Sequence, residues 1–223
     1  KLFHNFENMD DFMADPIDAL LSFSGLTWYG GLIVATIALM VYAKKNNLYF
    51  PHLMDSSAPA LMAGYAVGRM GCQIAGDGDW GIDNLAPQPT WMSFLPDWTW
   101  AYRYPHNVLG EGIPIPGCSG QHCAMLANPV YPTPLYEIIM CSILFLVLWS
   151  IRKRISTTGV FFSIYLIFNG IERFLIELIR VNSEYHLFGH GITQAQIISS
   201  ALVALGGYGI FYFKKKATNN LTQ

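Results

Sequence analysis

The chain has 223 residues, 52% of them hydrophobic and only 13% charged, and its 13 Lys and Arg stand against 15 Asp and Glu for a formal net charge of -2. A soluble domain usually carries about a quarter charged residues, so this composition argues against a soluble globule with buried helices. No basic stripe runs through the sequence, and nothing in it calls for a nucleic-acid partner.

Five segments are long and apolar enough to cross a bilayer, which takes roughly 20 residues. The first, Leu26 to Ala43, is followed by Lys44 and Lys45. The second, Leu53 to Cys72, carries charge. The third, Leu135 to Ile151, is slightly short and is followed by Arg152, Lys153 and Arg154. The fourth, Gly159 to Ile179, is again charged, and the fifth, Ile192 to Phe213, runs into Lys214, Lys215 and Lys216. Five alternating crossings put the three basic ends on one side, which the positive-inside rule makes cytoplasmic. The expected fold is an all-α polytopic membrane protein, one integral domain over residues 1–223. It divides into an outer segment (1–25), two spans (26–72), an outward-facing loop or arm (73–134), three spans (135–213) and a cytoplasmic tail (214–223).

The outer loop is rich in rings: Trp80, Trp91, Trp98, Trp100, Tyr102 and Tyr104. Such rings favour the headgroup layer, and interfacial anchoring is the expected role for most of them. The loop is too long for a simple connector and is expected to form a small cap or lateral arm. It also carries "CSGQHC". Cys118 and Cys123 are open to three readings: a disulfide, which an oxidising exterior permits, two free thiols, or a zinc site with His122 and His106, for which C-x4-C with one adjacent His is a weak pattern.

Charge inside a span is costly, so it pairs or lines a functional cavity. Arg69 lies about 16 residues into the second span, ~24 Å from its inner end. In "NGIERFLIELIR" of the fourth span, Asn169, Arg173, Glu177 and Arg180 fall within an arc of roughly 80° on a helix. Arg173 is ~21 Å from the inner end by the same rise. Glu137 opens the third span at the outer surface. Two guanidiniums at one outer depth suggest an anion site, because the arginine fork suits phosphate. The competing reading is a neutralised structural network of Arg173 with Glu177 and Arg69 with Asp77 or Glu137.

These residues resemble the prolipoprotein diacylglyceryl transferase family, in order and over nearly the whole chain. "FENMDDFMADP" looks like the family's outer segment before its third span, and "WYGGLIVATIALMVYAKK" resembles the span that opens on His-Gly-Gly. "DSSAPALMAGYAVGRMG" resembles the approach to Gly-Arg-x-Gly. "YPTPLYE" resembles Pro-x-x-Leu-Tyr-Glu, "ERFLIELIR" resembles Arg-Phe-x-x-Glu-x-x-Arg, and "ITQAQIIS" the last span's opening. The resemblance implies transfer of the diacylglyceryl group of phosphatidylglycerol to the lipobox cysteine of a prolipoprotein, in the bacterial cytoplasmic (inner) membrane, with the site toward the outer leaflet. It implies phosphatidylglycerol, the prolipoprotein and the bilayer as partners, leaves room for other membrane subunits, and calls for no cofactor and no metal. Arg69, Arg173, Glu177 and Tyr29 would form the catalytic set. Arg69, Arg173, Arg180, Glu137, Tyr136, Asn169 and Asp77 would hold the phospholipid.

The departures are specific. Tyr29 stands where the family has the histidine of His-Gly-Gly, the usual base for the thiol. Cys72 replaces an asparagine, and the family's Asn-x-Glu stretch reads Ala75-Gly76-Asp77-Gly78-Asp79, so Asp77 and Asp79 both compete for the glutamate's place. A non-catalytic, lipid- or lipoprotein-binding relative in a membrane complex is therefore the alternative function. An unrelated transporter is disfavoured because its charges would lie at mid-membrane. The match begins after the family's second span, and about two further helices are expected upstream of Lys1.

Overall fold

A computed structural model describes residues 28–181, 184–187 and 190–221, and the expected outer segment 1–25 lies outside the described residues. Five α-helices account for most of them: α1 (Trp28–Lys45), α2 (Phe50–Ala75), α3 (Thr133–Ile151), α4 (Val160–Glu177) and α5 (Gln194–Leu221). Two short antiparallel hairpins accompany them, β1 (Ile113–Pro114) with β2 (Ala124–Met125), and β3 (Glu184–Leu187) with β4 (His190–Thr193). The chain divides into two compact units, Lys1–Leu53 and Met54–Gln223. The first contains α1; the charged residues from Arg69 to Arg180 lie in the second.

All five apolar segments are helical, with shifted ends. α3 starts two residues early, where Thr133 and Pro134 occupy its first turn, a position where proline's missing N–H costs nothing. α4 stops at Glu177 rather than Ile179. The expected fifth span loses its first residues to β4, and its helix continues through the three lysines. Among the described residues, α3 and α5 are the helices long and apolar enough by themselves to cross a membrane. α2 and α4 carry Asp55, Arg69, Glu172, Arg173 and Glu177, which lower their hydropathy although their lengths suffice.

The core of the second unit joins α2, α3 and α4 through Ala58, Met62, Ala66, Cys141, Leu148 and Phe161. Around it, large apolar side chains stay exposed, among them Ile139, Ile143, Leu146 and Trp149 on α3, and Leu205, Tyr208 and Phe211 on α5. So continuous an apolar surface suits a lipid surrounding, and the protein is an α-helical membrane protein.

The long connection between α2 and α3 folds as a cap with its own small core. Trp80, Tyr104 and Val130 are buried there, with Tyr102 and Leu126 packed against them. The Tyr104 hydroxyl donates to Gln73 Oε1 at 2.9 Å, and burial pushes its pKa up. Asn107 is buried and donates to the Glu111 carbonyl at 3.0 Å. Interfacial anchoring therefore does not account for Trp80 or Tyr104, whereas Trp91, Phe94 and Trp98 are exposed. Cys118 and Cys123 form a disulfide with a Cα separation of 5.6 Å, which closes the β1–β2 hairpin.

Candidate functional site

Arg69 and Arg173 converge on one carboxylate. Glu137, in the second turn of α3, is fully buried. Its Oε2 lies 3.0 Å from Arg69 Nε, and its Oε1 accepts from Arg173 Nη1 at 3.3 Å. The Tyr65 hydroxyl, one turn before Arg69 on α2, donates to the same Oε1 at 2.9 Å. Its ring also lies under the Arg69 guanidinium, 5.2 Å from ring centroid to Cζ.

From this centre the charges alternate outward. Arg173 Nη2 donates to Glu177 Oε2 at 3.0 Å, one turn along α4. On the other side Arg69 pairs with Asp79, and Asp79 pairs in turn with Arg180. The order is Glu177, Arg173, Glu137, Arg69, Asp79, Arg180: three cations interleaved with three anions. The arginine side chains keep 15%, 21% and 11% of their surface for Arg69, Arg173 and Arg180, and Asp79 keeps 25%, while Glu137 and Glu177 keep none. Glu137 and Glu177 thus sit at the back, while the three guanidiniums and the Asp79 carboxylate keep accessible surface at the front. Burial and the like charge of Arg69 pull the Arg180 pKa down, and its Nε is buried without a hydrogen-bond partner among the described residues.

The loop after α2 is held in place by its backbone. The Ile82 N–H donates to the Ile179 carbonyl at 2.9 Å, Gly81 bridges Arg180, and Thr133 Oγ1 donates to the Asp79 carbonyl at 2.6 Å. A β-carbon at Gly81 would stand 2.6 Å from the Ile179 oxygen, so only glycine allows this approach. Arg180 therefore reaches the cluster from an extended segment, not from the helical arc expected of it. Its helix ends because residues 179 and 180 pair with the loop.

Among the other expected residues, Asp77 is exposed and its Oδ1 accepts from the Asp79 N–H at 3.4 Å. Asp79, not Asp77, bridges the arginines. Tyr136 is turned to the cap, where its hydroxyl donates to the Thr99 carbonyl at 3.0 Å. Asn169 is half-buried one turn before Arg173. Tyr29 stands in the first turn of α1, and its side chain lies outside the described residues. Cys72 is half-buried and its sulfur accepts from Arg69 Nη1 at 3.7 Å.

Sequence reasoning missed two residues. Tyr65 is four residues before Arg69, and helical neighbours at that spacing share a face. Glu172 is 2% exposed and neither carboxylate oxygen has a hydrogen-bond partner among the described residues. Its signal was an acid inside an apolar span.

A model of the prolipoprotein diacylglyceryl transferase family matches residues 2–212. This chain belongs to that family. Similar proteins named phosphatidylglycerol–prolipoprotein diacylglyceryl transferase include one from Dehalococcoides mccartyi, 28% identical over 97% of this chain and 72% of its own length. Another, from Neisseria meningitidis, is 30% identical over 95% of this chain and 73% of its own. A third, from Leptospira interrogans, is 26% identical over 92% of this chain, which spans 65% of that relative. Arg69, Glu137, Arg173, Glu177 and Arg180, from the motifs quoted above, form the alternating cluster together with Asp79.

Proposed function

We propose that this protein transfers the diacylglyceryl group of phosphatidylglycerol to the lipobox cysteine thiol of prolipoproteins. Family membership supports the reaction class. The observation that carries the site is the convergence of Arg69 and Arg173 on Glu137, which puts two guanidiniums within reach of one headgroup.

In this reading the lipobox thiolate attacks the glycerol carbon that bears the phosphate ester. A carbon–sulfur bond forms, the carbon–oxygen bond breaks, and glycerol phosphate leaves with the electron pair. The phosphate gains charge as it departs, so fixed cations stabilise the transition state more than the ground state. A guanidinium has five N–H donors; Glu137, buried behind Arg69 and Arg173, orients both forks and leaves part of each guanidinium accessible. Glu177 holds the Arg173 rotamer, and Asp79 holds Arg69 and Arg180 together. Asn169 and Asp77 would line the headgroup's surroundings, while Tyr136, held by the Thr99 carbonyl, would brace the cap beside them. The thiol needs little help from Tyr29: a cysteine near pKa 8.5 is already a few per cent thiolate at pH 7, and neighbouring arginines lower that pKa further.

The same reading takes all five helices as spans of one membrane domain in the cytoplasmic membrane. Their basic ends face the cytoplasm, and the site faces the outer leaflet. The second reading, a lipid-binding relative without activity, draws on the departures at Tyr29, Cys72 and the stretch 75–79. Purified protein in phosphatidylglycerol liposomes, given a lipobox peptide, is expected to yield the thioether-linked diacylglyceryl peptide by mass spectrometry. Arg69→Ala is expected to abolish product and to weaken phosphatidylglycerol binding more than Arg69→Lys, which keeps the charge but loses the fork. Correctly inserted protein that binds phosphatidylglycerol and forms no product would leave the second reading standing.

A further inference from the structure

We propose that Asp55 is a positioning residue: it clips α2 to the start of α4 and thereby sets Arg69 level with Arg173. α4 begins without a capping side chain of its own. Its N-cap is Gly159, at φ 88°, and no local side chain takes the first amides. Those orphan N–H groups need acceptors. Asp55, in the second turn of α2, supplies both. Its Oδ2 accepts from the Gly159 N–H at 2.6 Å, and its Oδ1 accepts from the Phe162 N–H at 2.7 Å. A carboxylate also complements the positive end of the helix dipole. The clip is closed from a third side, because a β-carbon at Gly159 would stand 2.6 Å from the Phe213 ring of α5.

The spacing gives this contact its consequence. Fourteen residues separate Asp55 from Arg69, and fourteen separate Gly159 from Arg173. At 1.5 Å per residue both guanidinium-bearing positions lie ~21 Å from the clip, along helices that leave it in the same direction. Equal arms from one fixed point bring the two arginines to one depth, where Glu137 spans them at 3.0 and 3.3 Å. A slip of one residue would move one arginine by ~1.5 Å and turn it by ~100°, which neither contact would survive. α2 is weakest at this point, because Pro59 lies inside it and removes the N–H that would bond the Asp55 carbonyl. The side chain of Asp55 fixes what the helix ladder leaves loose.

The activity part of the test rests on the transferase reading; the distance part does not. Spin labels on bio-orthogonal amino acids at exposed Ile74 and Leu178, near the far ends of α2 and α4, report the register by pulsed dipolar spectroscopy in nanodiscs. Asp55→Ala is expected to shift or broaden the distance distribution by roughly 1.5 Å or more, at least one residue of rise. It is also expected to lower kcat roughly a hundredfold, as a misplacement of an ångström or more does. Asp55→Asn keeps an acceptor oxygen and is expected to keep the parent distance and to recover transfer to within about tenfold of the parent. An unshifted distance in Asp55→Ala overturns the proposal, whether or not transfer falls. Should Asp55→Ala fail to insert, Asp55→Glu decides: both acceptors sit on a longer arm, a narrow but displaced distance is expected, and an unchanged one overturns the clip. Absence of transfer in the unsubstituted protein would refute the transferase reading and leave the distance result to judge Asp55.

Discussion

Two buried glutamates differ in their partners. Glu137 is fully buried and contacts Arg69, Arg173 and the Tyr65 hydroxyl. Glu172 is equally inaccessible, yet neither of its oxygens has a hydrogen-bond partner among the described residues. Removing one member of a buried ion pair leaves its partner uncompensated and costs about 3 kcal/mol. Removing a carboxylate that has no hydrogen-bond partner relieves a desolvation cost instead. Glu137→Gln is therefore expected to lower the thermal midpoint of the purified protein markedly and to abolish transfer, because Arg69 and Arg173 lose their common anchor. Glu172→Gln is expected to leave the midpoint unchanged or to raise it. Thermal unfolding of the three proteins in one detergent checks the pair, and an equal loss in both would show that burial alone sets the cost.

At the scale of elements, α4 and α5 meet along a glycine seam. A β-carbon at Gly170 would stand 2.6 Å from the Ser199 carbonyl oxygen, and one at Gly206 would stand 2.6 Å from the Ser163 carbonyl oxygen. Small residues let helix backbones approach in this way, and close packing is what associates helices in lipid. Gly207, next along α5, has no atom of the described residues within 4 Å of its β-carbon position. Gly206→Ala is expected to destabilise the protein by about 1–3 kcal/mol through overpacking. Gly207→Ala is expected to be neutral or stabilising, by up to about 1 kcal/mol, since alanine is the better helix former. Thermal unfolding of both variants measures the contrast. Elements of this kind were legible in the sequence where a local pattern set them: α3 follows from an apolar run behind Pro134, and the meeting of Arg69 with Arg173 from their matched depth. The early end of α4 was not legible, because residues 179 and 180 leave the helix to pair with residues 81 and 82, a partnership nearly a hundred residues away that leaves no trace in a 3.6-residue period. The choice of Asp79 over Asp77 was hidden for the same reason. It depends on Thr133 and Arg180 holding the loop, and spacing along the loop cannot rank two aspartates.

At the scale of the molecule, orientation follows from where charge and cross-link fall relative to the apolar helices. Arg152, Lys153 and Arg154 close α3 at one end, and the arginine cluster stands at its other end, around Glu137. The Arg152 guanidinium lies over the Trp149 ring, 3.5 Å from its centroid, a pairing suited to a membrane boundary, where ring and cation both reach the headgroup layer. If the basic end is cytoplasmic, the cap lies outside, and there the Cys118–Cys123 disulfide is chemically at home. The expected outcome is that mild reduction of spheroplasts followed by a membrane-impermeant maleimide labels Cys118 and Cys123 without permeabilisation. The protein carrying Cys118→Ser and Cys123→Ser should lose that signal, which separates it from labelling of half-buried Cys72. Labelling that requires a permeabilised membrane would invert the topology. The arginine cluster would then open toward the cytoplasm, where a prolipoprotein already threaded across the membrane could not present its cysteine, so this one measurement bears on the orientation of the fold and on the proposed reaction together.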